Sequence, residues 1–117
     1  MIVATVRPAG EIRSVREQGA GFRNIISRIL AGPAQGCSGA VVRYLTVKKG
    51  GRMPRKECQR KRICTVIQGE LVFMDGDGAV SLVREGDVVI VPAHERHHFQ
   101  NDAASPARIH IVELAER

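Results

Sequence analysis

The chain has 117 residues, which fits one domain, and 44% of them are hydrophobic, enough to bury a core. The formal net charge of +6 would suit nucleic acid, an acidic membrane surface or an anionic metabolite as a partner. Nucleic-acid binding is disfavoured, because only four aromatic residues are available to stack on bases and no motif of the known nucleic-acid-binding modules occurs. Membrane insertion is disfavoured too, because no apolar run approaches the roughly 18 residues of a spanning helix.

The cysteines and the N-terminus predict a cytoplasmic location. The chain has three cysteines, an odd number, and its start, "MIVATVRPAG", lacks the basic and apolar regions of a secretory signal. Reduced thiols are typical of the cytoplasm. Because no repeat, linker or low-complexity tract divides the chain, we predict a single domain over residues 1–117.

Short β-rich runs alternate with turn signals along the whole chain. In order they are "IVATVR", "RNIISRIL", "AVVRYLTV", "ICTVIQG", "ELVFMD", "AVSLVR", "VVIVP", "RHHFQN" and "ARIHIVELA". Between the fifth and sixth, the "DGDG" of residues 75–78 predicts a hairpin turn, since Asp-Gly and Gly tolerate positive φ. About eight or nine short strands at this spacing predict an all-β sandwich or barrel, and a closed jelly roll would leave no exposed edge.

The segment "GDVVIVPAHERHHFQN" carries a spaced set of Gly86, Pro92, His97 and Asn101. This set resembles the second cupin motif, G-x5-P-x-G-x2-H-x3-N, at every position except one, where His94 replaces glycine. The pattern turns the chain at the glycine, buries a strand, ends it at the proline and returns a histidine to the barrel mouth.

The segment 50–69 resembles the first cupin motif, G-x5-H-x-H-x3,4-E-x6-G, in spacing and at both glycines. Its ligand positions differ. Lys56 and Cys58 stand where the family has histidines, and Arg62 stands where it has glutamate or, in some small members, histidine. A register shift of one residue would instead put Arg55 and Glu57 at the histidine positions.

The resemblance to small, single-domain, RmlC-like cupins covers nearly the whole chain. It implies an all-β double-stranded β-helix, the cupin jelly-roll barrel. It also implies a homodimer, formed through an outer sheet face or by exchange of the N-terminal run "IVATVR". Because cupins include enzymes, storage proteins and sensors, the fold alone does not decide the function.

The ligand positions predict that the usual metal is absent. In the family three histidines and a glutamate hold a divalent ion, and here only His97 keeps its type. Lys56 and Arg62 cannot be ligands while protonated, and their charge would repel a divalent ion. We therefore predict no cofactor.

Two alternatives would keep a metal. Cys58, Cys64 and His97 would form a set suited to Zn²⁺, although the Cys-x5-Cys spacing is not that of a standard zinc site. In the shifted register, Glu57 would be a ligand.

Strand alternation predicts which side chains share the barrel interior. If Arg62 points inward, so does Cys64, and the same parity carries back to Lys56 and Cys58 if no bulge intervenes. His97 and Phe99 share parity on the later strand, with His98 facing outward. The predicted site therefore comprises Lys56, Cys58, Arg62, Cys64, His97 and Phe99.

We predict that this site binds a small anionic metabolite, with Arg62 and Lys56 holding its charge and His97 donating a hydrogen bond or moving a proton. Alternatively, Arg62 pairs with Glu57 or Glu70 and leaves an apolar cavity.

An enzyme is the other class. It would be a metal-independent isomerase, epimerase or cyclase with His97 as the catalytic residue, or a metalloenzyme or dioxygenase with Cys and His ligands. A third possibility is a nucleophilic Cys58, whose cationic neighbours favour the thiolate.

Overall fold

The computed structural model describes residues 3–115, and almost all of its regular structure is strand. The strands are β1 (Val15–Arg16), β2 (Arg23–Ala31), β3 (Ala40–Arg52), β4 (Lys61–Gln68), β5 (Glu70–Met74), β6 (Val80–Arg84), β7 (Val88–Val91), β8 (His98–Gln100) and β9 (Ala107–Leu114). Two 3₁₀ turns, Ala9–Glu11 and Pro33–Gln35, lie in the first third of the chain. Within residues 3–115, no helix is long and apolar enough to span a membrane.

The strands pair antiparallel in the order β6-β5-β8-β3-β9-β4-β7, and β2 adds to β3 with β1 on its outer side. Strands distant in sequence are neighbours, as β3 and β9 are and as β4 and β9 are. The result is a nearly closed antiparallel barrel, which confirms the predicted jelly roll.

Residues 3–7 of the predicted N-terminal strand lie in no strand, and Ile2 is outside the described residues. The homodimer stays a prediction.

The core is built from alternating side chains of the central strands. On β9, Ala107, Ile109 and Ile111 are fully buried, and the next inward position is Glu113, only 5% exposed. On β4, Cys64 is buried, as predicted, whereas Ile67 is exposed. The barrel interior thus becomes polar where β9 and β4 approach one end.

The predicted hairpin between β5 and β6 is present. The carboxylate of Asp75 accepts hydrogen bonds from the backbone N–H groups of Asp77 and Ala79, both at 2.9 Å. Gly78 has a φ of +83°, a conformation that favours glycine. This turn pairs β5 with β6, and the other edge of β5 pairs with β8, which follows the second motif's His97.

His98 lies on the face of β8 opposite the core residue Phe99, as strand alternation predicted. It is nevertheless only 3% exposed. It begins β8 opposite Met74 of β5, and its Nε2 lies 3.1 Å from Oε1 of Gln100. His98 and Gln100 thus share the face of the sheet opposite Phe99.

Candidate functional site

A pocket of about 250 Å³ opens at the polar end of the barrel. It is lined by Glu17, Phe22, Ser27, Arg43, Leu45, Met53, Pro54, Lys56, Arg62, His97 and Ile111. Three of the six predicted site residues, Lys56, Arg62 and His97, therefore meet in one cavity. Its lining combines charged groups with an apolar wall.

A buried carboxylate joins the two arginines. Glu113 of β9 is opposite Arg62 of β4 in the strand register. Its Oε2 accepts from Nη2 and Nε of Arg62 at 2.7 and 2.8 Å, and its Oε1 accepts from Nε of Arg43 at 3.0 Å. Burial alone would raise the pKa of Glu113, but Arg62 and Arg43 outweigh burial and hold the pKa below its ordinary value. Glu113 is therefore ionised at neutral pH and orients both guanidinium groups.

His97 is held in one tautomer. Its Nδ1 lies 2.8 Å from the backbone carbonyl oxygen of Glu95, and a carbonyl can only accept, so Nδ1 carries the proton. Nε2 then accepts from Nη1 of Arg62 at 3.2 Å. Burial, with a further contribution from the charge of Arg62, lowers the pKa of His97. The imidazole is thus neutral at neutral pH, and it can take a proton at Nε2 only after its bond to Arg62 opens.

This neutral state predicts a pH dependence of stability. A histidine whose pKa is lower in the folded chain binds a proton more readily when unfolded, so stability falls as pH drops below about 6.5, the unfolded value. Urea unfolding between pH 5 and 7.5 should show this loss, at no more than about 1.4 kcal/mol per pH unit from this one group. His97→Gln should flatten the profile in that window, with the exposed His94→Gln as control. A profile that His97→Gln leaves unchanged would contradict a neutral His97.

Lys56 and Glu17 complete the charged lining. The backbone of Lys56 exchanges two hydrogen bonds with that of His97, N to O at 3.3 and 3.1 Å, and this bridge ties the first-motif loop to the second motif. Nζ of Lys56 lies 5.5 Å from the ring centroid of Phe22. Glu17, just after β1, accepts a hydrogen bond from Oγ of the buried Ser27 at 2.6 Å. The pocket therefore holds a carboxylate as well as cations.

The other three predicted residues lie outside the pocket lining. Cys64 is fully buried in the core, and burial raises the pKa of its thiol to about 12. Phe99 is also in the core, with its ring 4.9 Å from that of Phe73. Cys58 is half-buried, and its Sγ lies 3.8 Å from Oε2 of Glu113. β4 starts only at Lys61, so strand parity does not extend through the loop that holds Cys58.

The structure distinguishes between the two registers. Lys56, not Arg55, lines the pocket, because Arg55 turns away to donate to the backbone carbonyl oxygens of Met74 and Asp75. Glu57 is exposed and lies outside the lining. The expected alternative partners of Arg62 do not pair with it either. Glu70 pairs with Arg84 instead, with its Oε2 3.8 Å from Nε of Arg84.

Sequence reasoning missed four polar lining or supporting residues: Glu17, Ser27, Arg43 and Glu113. Strand alternation offered a signal for three of them, including Ser27, which lies two positions after the buried Ile25 on β2. Strand alternation that places Ile111 inward also places Glu113 inward, and alternation from Leu45 does the same for Arg43. No periodic pattern marks Glu17, because it lies outside the regular strands.

The side chains at this end of the barrel do not fit a divalent metal. The guanidinium of Arg62 bridges His97 and Glu113, the two groups best suited to be ligands. The ammonium of Lys56 lies over Phe22 rather than beside them. No group of three or more His, Cys, Asp or Glu within residues 3–115 is arranged to hold a metal ion. The absence of a cofactor stays a prediction.

The fold and pocket define a small antiparallel barrel with a charged interior at one end. Residues 43–113 match the family model described as the cupin domain, so the chain belongs to the cupin family. None of the curated proteins matches the sequence significantly.

Solved structures of similar shape agree with this assignment. The polyketide cyclase RemF from Streptomyces resistomycificus superposes with a TM-score of 0.86 at 19% identity, over 98% of this chain and 82% of that one. A predicted oxalate decarboxylase from Thermotoga maritima gives 0.84 at 20% identity, over 96% and 100%. A cupin-2 domain protein from Rhodospirillum rubrum gives 0.76 at 25% identity, over 99% and 77%. These likenesses support the fold.

Proposed function

We propose that this cupin binds a small organic anion in the barrel pocket without the family's metal. One observation carries the proposal. Among residues 3–115, three cations, Arg43, Lys56 and Arg62, line the pocket, and two carboxylates, Glu17 and the buried Glu113, lie with them. An uncompensated positive charge in a partly enclosed cavity favours an anionic ligand.

Arg62 acts as support in this proposal. Its guanidinium already bonds to Glu113 and His97, and its side chain is only 16% exposed. Arg43 donates to Glu113 through its Nε alone, and its two terminal nitrogens have no hydrogen-bond partner within residues 3–115. Together with the ammonium of Lys56, these nitrogens offer a planar fork and a point charge, the pair that recognises a carboxylate.

The size of the pocket limits the ligand. A volume of about 250 Å³ lies below the roughly 300–1,000 Å³ of sites for drug-sized molecules. The apolar lining, which includes Phe22 and Ile111, would contact a short hydrocarbon body. A ligand with one carboxylate and a few carbons fits both features. Catalysis by His97 stays a prediction, because Arg62 already occupies the basic nitrogen of His97.

The test is a thermal-shift screen of small carboxylates, followed by calorimetric titration of those that stabilise the chain. We expect Lys56→Gln to weaken binding by at least about tenfold, since a hydrogen bond to a charged group is worth about 1.5–3 kcal/mol. Lys61→Gln is the matched control, because Lys61 is exposed and outside the pocket lining. Equal loss in both variants, or no stabilising carboxylate, would refute the proposal.

A further inference from the structure

A carboxylate lines the same pocket as the cations proposed to hold the anion. Oε1 of Glu17 accepts from Ser27, whereas its Oε2 has no hydrogen-bond partner within residues 3–115. The backbone N–H of Glu17 donates to the carbonyl oxygen of Ile25 at 2.9 Å, which fixes the residue against β2. Because Glu17 lines the pocket, its Oε2 is available to accept a hydrogen bond from a ligand.

The charge balance restricts which donor the ligand carries. With His97 neutral, the three cations and two carboxylates found here among residues 3–115 leave one positive charge uncompensated. A ligand with one negative charge restores neutrality, whereas a zwitterionic amino acid leaves the excess in place. A ligand whose net charge matches the excess therefore carries a neutral hydroxyl, not an ammonium group, as the donor facing Glu17.

We propose that the ligand is a small hydroxy acid with one carboxylate, an inference that rests on the proposed anion binding. The carboxylate accepts from Arg43 and Lys56, and the hydroxyl donates to Oε2 of Glu17. The hydrocarbon body packs on the apolar lining, formed by Phe22, Leu45, Met53, Pro54 and Ile111. Glu17 is thus the residue that discriminates a hydroxy acid from the plain acid of the same size.

Four probes of nearly equal size test this assignment: 2-hydroxy-4-methylpentanoate, 3-hydroxy-4-methylpentanoate, 4-methylpentanoate and leucine. In calorimetric titration at pH 7, one hydroxy acid should bind at least about tenfold more tightly than the plain acid. Glu17→Gln should reduce this preference to less than about threefold, because a neutral amide is a weaker acceptor than a carboxylate. It should bind the plain acid at least as well as wild type does, since it removes a negative charge.

The choice of variants avoids two artefacts. Glu17, Ser27 and Arg43 also line an outer cavity of about 570 Å³, so truncation of Glu17 to alanine would join the two cavities. Glutamine keeps the volume. Glu11→Gln is the control, because Glu11 is an exposed carboxylate of the same N-terminal segment and lies outside the lining.

The outcomes separate this inference from the anion proposal. Loss of the hydroxyl preference in Glu17→Gln, but not in Glu11→Gln, supports the hydroxy acid. Equal binding of hydroxy and plain acids overturns the role of Glu17 and leaves anion binding intact. If leucine binds most tightly of the four, the assignment of a neutral hydroxyl, rather than an ammonium group, opposite Glu17 is overturned. If none of the four binds, the hydroxy-acid inference is overturned, and the carboxylate screen then decides the anion proposal by itself.

Discussion

Replacing Glu113 by glutamine should lower the free energy of unfolding by about 3–5 kcal/mol, the usual cost of breaking a buried ion pair. Glu113 is 5% exposed and holds both Arg62 and Arg43. Its loss leaves two guanidinium groups in the barrel without a counter-charge. We expect the melting temperature to fall by more than about 10 °C, measured by circular dichroism together with urea unfolding.

Glu70→Gln is the matched control for this prediction. Glu70 also pairs with an arginine, but at 3.8 Å and with side chains that are 71% (Arg84) and 44% (Glu70) exposed. Such a surface pair is worth no more than about 1 kcal/mol. A cost of less than about 1 kcal/mol for Glu113→Gln would show that the buried carboxylate does not organise the arginines.

Comparing the stability of wild type and Glu113→Gln at different pH values gives a further test. The pKa of Glu113 is lower in the folded chain than its ordinary value, so its contribution is fully present above about pH 4.3 and is lost as the pH falls through the folded pKa. The stability difference between wild type and Glu113→Gln should therefore narrow in acid. A difference that stays constant down to pH 3 would contradict an ionised Glu113.

Replacing Arg62 by histidine should convert the end of the barrel into a zinc site. The guanidinium lies 3.2 Å from Nε2 of His97 and 2.7 Å from Oε2 of Glu113, so it occupies the space where a metal would meet both groups. An imidazole there would add a third ligand, and the Cys58 thiol lies 3.8 Å from the carboxylate. Three or four N, O and S ligands suit Zn²⁺.

We expect Arg62→His to bind about one Zn²⁺ per chain by mass spectrometry, and wild type to carry no stoichiometric metal. At a hundredfold excess over the dissociation constant, Zn²⁺ should stabilise the variant by about 2.7 kcal/mol. Arg62→Gln is the control, because it removes the cation without adding a strong ligand. Stoichiometric metal in wild type that His97→Ala abolishes would refute the metal-free proposal, and Cys58, Cys64 or Glu57 would then be examined as ligands.

The fold could be predicted because its signals are local. Turn chemistry at Asp75 and Gly78, and the spacing of Gly86, Pro92 and His97, are readable from neighbouring residues. Each acts over a few positions through backbone conformation and side-chain alternation. The same alternation correctly predicted that Cys64 points into the barrel, where it is buried.

The bonding partner of Arg62 depended on tertiary structure. Its partner Glu113 lies 51 positions away and becomes its neighbour only because the barrel topology places β9 beside β4. Sequence reasoning considered Glu57 and Glu70 as partners because they are near in sequence, but nearness along the chain does not decide pairing between strands. The position of Cys58 escaped prediction for a related reason: alternation fails where the strand ends and a loop begins.

The sequence by itself determined an all-β barrel, and its resemblance to the cupin motifs predicted a site around His97 with Lys56, Cys58 and Arg62 at the family's ligand positions. Short-range periodicity and turn signals predicted the strands, and the resemblance to the two cupin motifs implied the rest; neither needs knowledge of the chain path. Only the tertiary structure decided that Arg62 bonds to His97 and Glu113, and that Glu17 reaches the same pocket. Such contacts join segments that are distant in sequence, so they arise from strand order and packing rather than from any local pattern.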